Sequence, residues 1–308
     1  MRVKTPSRLH FGILDLSREF KREYGALGLT LDDGYEIVLK SSQNELKVEG
    51  DQREKRIVTE VYETLKEKFD LTTSFEVKIK DRIPSHIGLG STTQLTLGTG
   101  FGMLKESRID IEVKELASIL DRGRYSAIGT YGFENGGFIL EGGKEKKDEI
   151  SPILYRGKVP KDWRFVILCP EEKKGYDEKE EKPIMEDLEV EVKYPEKICH
   201  NVLMGILPAL ERRDIKAFGE HLTEIQKLVG ESFSSFQEGI YHPAIAHIVN
   251  SLIDHTHGAG QSSWGPTAYG LVRADEVEEV EEKISSYDKE KYRMWIGEPS
   301  NTGVRLES

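Results

Sequence analysis

Alternating apolar and polar residues in the first half of the chain predict strands on either side of one long helix. YEIVLK and ELKVE, within residues 35–49, alternate as a half-buried strand does, and so does SFEVKIKD at 74–81. Residues 2–12 are also predicted to be a strand. Between the two alternating stretches, residues 53–69 are predicted to form an amphipathic helix. Its apolar positions are Ile57, Val61, Leu65 and Phe69.

Further helices and strands follow in an interleaved order. Helices are predicted over 91–105 and 111–121, and a short strand over 136–143. Three glycines inside the first of these helices predict close packing against a neighbour, because glycine otherwise lowers helix propensity. The pattern then gives strands at 163–169, 268–274 and 292–298 and helices near 195–211, 214–230, 240–256 and 275–286. The sequence therefore predicts an α+β protein with a domain boundary near residue 160, dividing the chain into 1–160 and 161–308.

Composition narrows the class of protein. The chain has 308 residues, of which 37% are hydrophobic and 32% charged, and its net charge is −11. A negative balance argues against a general nucleic-acid or membrane-surface binder, since both need a positive field. Cys169 and Cys199 stand outside any C-x-x-C pair, so neither a disulfide framework nor a zinc knuckle is indicated. With no long apolar run, the sequence predicts a cytoplasmic protein without a membrane segment.

Two groups of polar residues, the charge runs and a set of histidines, are not assigned a ligand on the basis of the sequence. The charge runs at 143–150 and 171–183 are interpreted as solvated loops or a mobile flap. Four histidines lie close in sequence: the i, i+5 spacing of the first two suits a single metal ion poorly, whereas the last two could both bind one in an extended segment. They are His242, His247, His255 and His257. Metal ligands therefore stay unassigned.

The stretch IPSHIGLGSTTQ, residues 83–94, resembles a phosphate-binding helix entry. Backbone N–H groups at a helix N-terminus lack partners and favour an anion, and glycine lets the backbone approach a phosphate. The predicted phosphate-binding residues of the loop 84–94 are Ser85, His86, Gly88, Gly90, Ser91 and Thr92. The alternative is an ordinary N-cap, in which Ser91 or Thr92 bonds the first turn.

Three other Gly-rich polar segments could complete a site. In PSRLHFGILDL (6–16), Arg8 and His10 alternate on a strand and so face the same side. In the segment 121–137, Arg122 and Arg124 suit carboxylate or phosphate. The segment 255–270 supplies a second flexible loop with an aromatic ring, namely Gly260, Ser262, Ser263 and Trp264. Each has a plainer interpretation as well: a buried histidine, a surface pair with Asp121, or a tryptophan that anchors the core.

The four segments together resemble the GHMP superfamily of small-molecule kinases. The signature P-x-x-x-G-L-G-S-S is matched by Pro84, Gly88, Leu89, Gly90 and Ser91, with Thr92 in place of the second serine. The resemblance implies an N-terminal domain like domain 2 of ribosomal protein S5 and a ferredoxin-like C-terminal domain. One departure bears on chemistry. Where these kinases commonly carry an aspartate for the phosphoryl acceptor, this sequence has Gly129 and Thr130.

A narrower resemblance, to β-ribofuranosylaminobenzene 5′-phosphate synthase of the archaeal methanopterin pathway, accounts for that departure. It rests on PSRLHFGILDL, YGALGLTL, IPSHIGLGSTTQ, GRYSAIGTYGFENGGF and GAGQSSWGPTAYG. Members of that family condense 5-phosphoribosyl 1-pyrophosphate (PRPP) with 4-aminobenzoate or 4-hydroxybenzoate. The products are a C-riboside 5′-phosphate, carbon dioxide and pyrophosphate, and no phosphoryl-acceptor base is needed. The resemblance also implies Mg²⁺ on the leaving pyrophosphate and a homodimer.

Roles follow as hypotheses from this resemblance. Arg8 and Arg124 are expected to bind anions, one of them the acceptor carboxylate, and His10 to shuttle a proton to the para substituent. Trp264 and Arg124 are expected to hold the aromatic acid, while Ser262, Ser263 and the loop at 88–92 hold phosphate. No residue plainly distinguishes the amino from the hydroxy acid. The alternatives are an ATP-dependent GHMP small-molecule kinase and a non-catalytic ligand sensor on the same fold.

Overall fold

Three β-sheets with helices packed against them form the part of the chain that the structure describes. It is a computed structural model, and it describes residues 1–146, 149–172, 183–185, 188, 190–284 and 291–307. Of the predicted charge runs, residues 147–148 of 143–150 and residues 173–182 of 171–183 lie outside the described residues. No helix within the described ranges is long and apolar enough to cross a membrane.

The first sheet packs against the helix that begins in the predicted phosphate-binding loop, residues 84–94, which is called the phosphate loop from here on. Its strands are β1 (Arg2–Lys4), β4 (Glu36–Ser42), β5 (Lys47–Glu49), β6 (Ser74–Asp81) and β13 (Arg305–Glu307), in the order β13-β1-β4-β6-β5. Two helices accompany it, α1 (Gln52–Phe69) and α2 (Ser91–Glu106). A Cβ on Gly98 or Gly102 would lie 2.7 Å from a neighbouring side chain, so the predicted close packing of α2 is confirmed.

The second sheet contains two strands, at 24–31 and 153–157, that the pattern did not predict. It comprises β2 (Ser7–Asp15), β3 (Tyr24–Leu31), β7 (Phe138–Glu141) and β8 (Ile153–Gly157), all antiparallel, in the order β2-β3-β7-β8. Strand β3 is buried on both faces, so its sequence shows no alternation. Helices α3 (Val113–Ile119) and α4 (Ile128–Asn135) lie nearby. Helix α4 was also not predicted, because its glycines mask a helical pattern.

The third sheet is ferredoxin-like, as the resemblance implied. Its strands are β9 (Trp163–Pro170), β10 (Gly258–Gln261), β11 (Ala268–Arg273) and β12 (Tyr292–Gly297), in the order β10-β11-β9-β12. The helices are α5 (Lys193–Asn201), α6 (Leu207–Glu211), α7 (Ile215–Gln237), α8 (Ala246–His255) and α9 (Val277–Lys283). A π-helical turn, Val202–Ile206, joins α5 to α6. The α+β class and both domain folds are confirmed, while the boundary near residue 160 stays a prediction.

Helix α7 holds the second and third sheets together. It packs on β2 and on β10, and Gly12 permits the close approach. Gly12 has φ +132°, and a Cβ there would lie 2.6 Å from Cγ2 of Val229. The helix runs to Gln237, seven residues beyond the predicted end, and α8 begins only at Ala246. The loops at the ends of β2 and β10 are thereby fixed beside the N-terminus of α2.

Candidate functional site

Two joined cavities lie where β2, the N-terminus of α2 and the loop after β10 meet. The central cavity has a volume of about 180 Å³, and its polar lining includes Arg8, His10, Thr93, Asp121, Arg122, Arg124, Ser126 and Ser263. The loop cavity, of about 110 Å³, lies against the phosphate loop and is lined by His86, Gly88, Gly90, Ser91 and Thr92 among others. Arg8, Thr93, Ser263 and Trp264 line both cavities. The sequence-predicted segments are therefore brought together.

The phosphate loop ends in a glycine cap and not in a side-chain cap. Gly88 and Gly90 have φ +84° and +78°, and Gly90 is the N-cap of α2. No side chain of the described residues caps this helix, so the interpretation of Ser91 or Thr92 as an ordinary N-cap is wrong. The first-turn N–H groups and the positive end of the α2 dipole therefore face the loop cavity, which suits a phosphate.

Arg8 fastens the phosphate loop to β2. Its Nη1 donates to the Gly88 carbonyl at 2.6 Å. A Cβ on Gly90 would lie 3.0 Å from Cγ of Arg8, so glycine is needed for the arginine to pass beneath the loop. The arrangement places a permanent positive charge between the two cavities.

His10 is a buried, neutral wall of the central cavity. Its backbone N–H donates to Oγ of Ser262 at 3.1 Å, and its Nδ1 accepts the N–H of Gly12 at 3.2 Å. The ring proton therefore sits on Nε2. Burial, and secondarily the nearby charge of Arg8, lowers the pKa of His10 well below 6.5. The role of His10 in proton transfer stays a prediction.

The loop after β10 contributes fewer phosphate contacts than the sequence indicated. Ser262 is fully buried, and its hydroxyl donates to the Gly88 carbonyl at 2.6 Å. Gly260 lies inside β10, where a Cβ would meet Cγ of Gln226 at 2.3 Å. Both residues therefore hold segments together, which corrects their predicted role as phosphate ligands. Ser263, with φ 55°, lines both cavities.

Residues beside the phosphate loop differ in their access to it. His86 has φ 56° and lines the loop cavity. Ser85 is half-buried and is not among the described residues that line either cavity. The structure therefore supports a position facing phosphate for His86 and not for Ser85.

Trp264 anchors the core, as its plainer interpretation predicted, and its role toward an aromatic ligand stays a prediction. Its ring packs edge-on against Phe233, with ring centroids 4.5 Å apart and planes at 70°. The same side chain is only half-buried and lines both cavities. The core contact fixes the ring, and the remaining surface offers a flat apolar wall.

Arg122 and Arg124 also line the central cavity. Arg124 is exposed and pairs with Asp121, its Nη2 lying 2.6 Å from Oδ2. Arg122 is half-buried, and its Nε donates to the Leu120 carbonyl at 3.2 Å. The surface pair with Asp121 is confirmed, and both of its members line the central cavity together with Arg122.

Sequence reasoning missed Arg53, which reaches the phosphate loop from α1. Its Nη2 donates to Oγ1 of Thr92 at 2.6 Å and lies 3.4 Å from Oγ of Ser91. With Arg56, Arg122 and His86, it lines a further cavity of about 460 Å³. Its position on an amphipathic helix looked like an ordinary exposed face, and only the packing of α1 on α2 brings it here.

Carboxylates are scarce in the cavities. Of the described residues lining the central and loop cavities, only Asp121 carries one. At Gly129, one of the two positions at which the resemblance places the kinase aspartate, a Cβ would meet Cγ2 of Thr93 at 3.2 Å. Nor do the described residues contain a group of three His, Cys, Asp or Glu placed to hold a metal. A resident metal centre does not fit this donor set.

Glu141 lies buried behind the central cavity and makes stability depend on pH. Its carboxylate accepts the Ala127 N–H at 2.9 and 2.8 Å, and burial raises its pKa to about 7 from 4.5. Because the folded protein binds the proton more tightly, the stabilisation is full below about pH 4.5 and is lost as pH rises through about 7. We expect Glu141→Gln to flatten this loss of up to about 3 kcal/mol in denaturant unfolding between pH 4.5 and 8. The exposed Glu145→Gln is the control, and an unchanged slope in Glu141→Gln would contradict the assignment.

Sequence comparison relates the chain to one family of enzymes. The family model "GHMP kinases N terminal domain" matches residues 56–137, and "GHMP kinases C terminal" matches residues 206–290. A protein of Methanothermobacter thermautotrophicus named beta-ribofuranosylphenol 5′-phosphate synthase is 33% identical, over 87% of this chain and 88% of its own. A protein of the same name from Archaeoglobus fulgidus is 29% identical over 100% of this chain and 99% of its own.

Comparison with solved structures confirms the fold. Galactokinase of Lactococcus lactis superposes with a TM-score of 0.71 at 13% identity, covering 99% of this chain and 94% of that one. Homoserine kinase of Cytophaga hutchinsonii gives a TM-score of 0.70 at 18% identity, covering 99% and 96%. At such identities the likeness concerns architecture alone.

Proposed function

The chain belongs to the family of beta-ribofuranosylphenol 5′-phosphate synthases, and from that premise we propose that it transfers the phosphoribosyl group of PRPP to a 4-substituted benzoate with loss of carbon dioxide. It is thus a decarboxylating phosphoribosyltransferase built on a GHMP kinase fold. The relatives are named for a phenol, which is the product that 4-hydroxybenzoate gives. 4-Aminobenzoate is the second acceptor to be tested.

The observation that carries the proposal is a cavity rich in arginine and poor in carboxylate. Arg8, Arg122 and Arg124 line it, and Asp121, the one carboxylate among its described lining residues, is paired with Arg124. A kinase needs a group to orient or deprotonate the acceptor hydroxyl. Phosphoribosyl transfer instead needs cations for two phosphate ends and a carboxylate, together with a flat wall for a ring.

The chemistry consists of one substitution and one elimination. The ring carbon that bears the carboxylate bonds to C1 of the ribose, while the C1–oxygen bond breaks and pyrophosphate leaves with its electron pair. The para hydroxyl loses a proton and becomes a carbonyl of a cyclohexadienone. The bond to the carboxylate then breaks, carbon dioxide leaves, and its electron pair restores the aromatic ring as the oxygen regains a proton.

Each anionic part of the substrates has a matching cation in this arrangement. The loop at 88–92 and Arg53 receive one phosphate end, using the α2 N-terminus and a guanidinium at 2.6 Å from Thr92. Arg122 and Arg124 receive the other. Arg8, between the two cavities, is left for the carboxylate or the leaving pyrophosphate. The ring lies along Trp264.

Magnesium is proposed as a companion of PRPP and not as a resident of the protein. The described residues offer no three-ligand cluster, and Mg²⁺ is usually held by waters and substrate phosphates with only one or two carboxylates from the protein. When bound it neutralises charge on the pyrophosphate. A homodimer and a cytoplasmic location stay predictions.

Replacing Arg124 with alanine tests whether this arginine binds an anionic part of the substrates. Its ion pair is exposed and contributes little to stability, so the melting temperature should stay within about 2 °C while kcat/KM falls about a hundredfold. Arg273→Ala is the matched control, because Arg273 forms a similar exposed pair with Asp162, 2.9 Å long, and does not line either cavity. Full activity of Arg124→Ala would remove this residue from the site.

The reaction is tested by product analysis against the kinase alternative. Purified protein is incubated with magnesium, PRPP and each acid, and separately with ATP and small alcohols. A C-riboside 5′-phosphate and pyrophosphate from the first mixture support the synthase. Phosphorylated alcohol without any riboside would contradict it and favour the kinase.

A further inference from the structure

A small cavity opens from the inner end of the central cavity. It lies between β2, the loop after β10 and α7, and shares His10, Ile13, Ser263 and Trp264 with the central cavity. Its other lining is mostly apolar and includes Val229, Phe233, Ile240 and Tyr241. None of the three arginines that line the central cavity, Arg8, Arg122 and Arg124, lines the small cavity. An acid whose carboxylate faces those arginines therefore directs its para substituent toward this small cavity.

The volumes of the central and small cavities determine how far the aromatic acid enters the small cavity. A cavity of roughly 150 Å³ holds a benzene ring. The central cavity, at about 180 Å³, accommodates the ring, whereas the small cavity, at about 50 Å³, accommodates only a substituent. The ring thus stays beside Trp264, and the oxygen or nitrogen at its para position reaches the inner end.

Tyr241 stands out among the polar groups there. It is 6% exposed, and its hydroxyl has no hydrogen-bond partner in the part of the chain that the structure describes. The neighbouring amides are committed: Nε2 of Gln237 donates to Ile240 O at 2.6 Å, and Nε2 of Gln261 donates to Ser263 O at 3.1 Å. A buried hydroxyl left without a partner is costly, and Tyr241 lines the small cavity, where a polar ligand group would supply that partner.

We propose that Tyr241 recognises the para substituent of the acceptor and favours the hydroxy over the amino acid, an inference that rests on the proposed function. When carbon dioxide leaves the cyclohexadienone, its electron pair flows through the ring onto the para oxygen, and a phenolic O–H that donates to this oxygen stabilises the negative charge that develops there. The para nitrogen of 4-aminobenzoate becomes an iminium, which has no lone pair to accept that donation. Burial keeps Tyr241 protonated, raising its pKa to about 12.

The test is Tyr241→Phe, which removes the hydroxyl and retains the ring. Since no hydrogen bond within the described protein is lost, the melting temperature should not fall. We expect kcat/KM for carbon dioxide release from 4-hydroxybenzoate to fall about tenfold, and that from 4-aminobenzoate to change less than about twofold. Equal effects on the two acids would overturn the inference.

Tyr269→Phe is the matched control. Tyr269 is fully buried, its hydroxyl likewise has no partner among the described residues, and it is not part of the small cavity's lining. Tyr269→Phe should leave the rate of carbon dioxide release unchanged with both acids. An equal loss in Tyr269→Phe would assign the effect to general packing and overturn the role of Tyr241.

Binding without PRPP separates this inference from the proposed function. Tyr241→Phe should weaken 4-hydroxybenzoate about fivefold and leave unsubstituted benzoate unchanged, as measured by calorimetry. Equal weakening of both ligands would contradict the role of Tyr241 whatever the reaction. Wild-type protein that releases no carbon dioxide, yet shows this difference in binding, would overturn only the proposed function.

Discussion

Replacing Arg8 with alanine should lower kcat/KM by about a thousandfold, the largest loss of activity expected from any single side chain here. Arg8 lies between the central and loop cavities, where carboxylate, ribose and pyrophosphate must meet. Removing its charge takes away stabilisation of the leaving group. The measurement is steady-state carbon dioxide release at saturating magnesium.

The protein should nevertheless fold without Arg8. The Gly88 carbonyl keeps the Ser262 hydroxyl as a donor at 2.6 Å, so it does not become an unpaired buried acceptor. Arg164→Ala is the matched control, because Arg164 also donates to a backbone carbonyl, that of Lys161 at 2.8 Å, away from both cavities. A folded Arg8→Ala variant with more than about a tenth of wild-type activity would contradict the role given to Arg8.

Gly88→Ala should be the most destabilising substitution in the site. The residue has φ +84°, and a Cβ there would lie 2.2 Å from the Ser262 carbonyl oxygen, which belongs to the backbone and cannot rotate away. The left-handed backbone and the overlap together should cost about 4 kcal/mol in denaturant unfolding. Because relief requires the phosphate loop to move from Arg8, activity should fall at least about a hundredfold.

Gly123→Ala separates the backbone contribution to the loss of stability from the contribution of steric overlap. Gly123 also has φ +84°, but the nearest atom to its Cβ position is 3.7 Å away, on Ile150. Only the backbone penalty of about 1–2 kcal/mol should then appear. Equal destabilisation by the two variants would mean that contact with Ser262 is not what fixes Gly88.

Local sequence was sufficient to predict site residues where one short segment contains both the reactive groups and the residues that set the backbone conformation. The loop at 88–92 was identified because glycines and a helix start are adjacent in the chain, and Arg8 and His10 because alternation on a strand puts them on one face. The fold followed from the resemblance and from the interleaved pattern. Strand β3 escaped because burial on both faces removes alternation.

Residues that depend on tertiary contacts could not be predicted in this way. Ser262 looks like a phosphate ligand in sequence, yet its hydroxyl joins the backbones of His10 and Gly88. Arg53 and Tyr241 lie on helix and loop positions with no motif of their own. Arg53 reaches the phosphate loop only through the packing of α1 on α2, and Tyr241 reaches the small cavity only through the turn after α7.

The most direct test of the proposed reaction is release of labelled carbon dioxide from carboxyl-labelled 4-hydroxybenzoate and 4-aminobenzoate, with magnesium, in the presence and absence of PRPP. We predict release that depends strictly on PRPP and is faster from 4-hydroxybenzoate. Folded protein that releases none from either acid, or that releases it equally without PRPP, would contradict decarboxylating phosphoribosyl transfer.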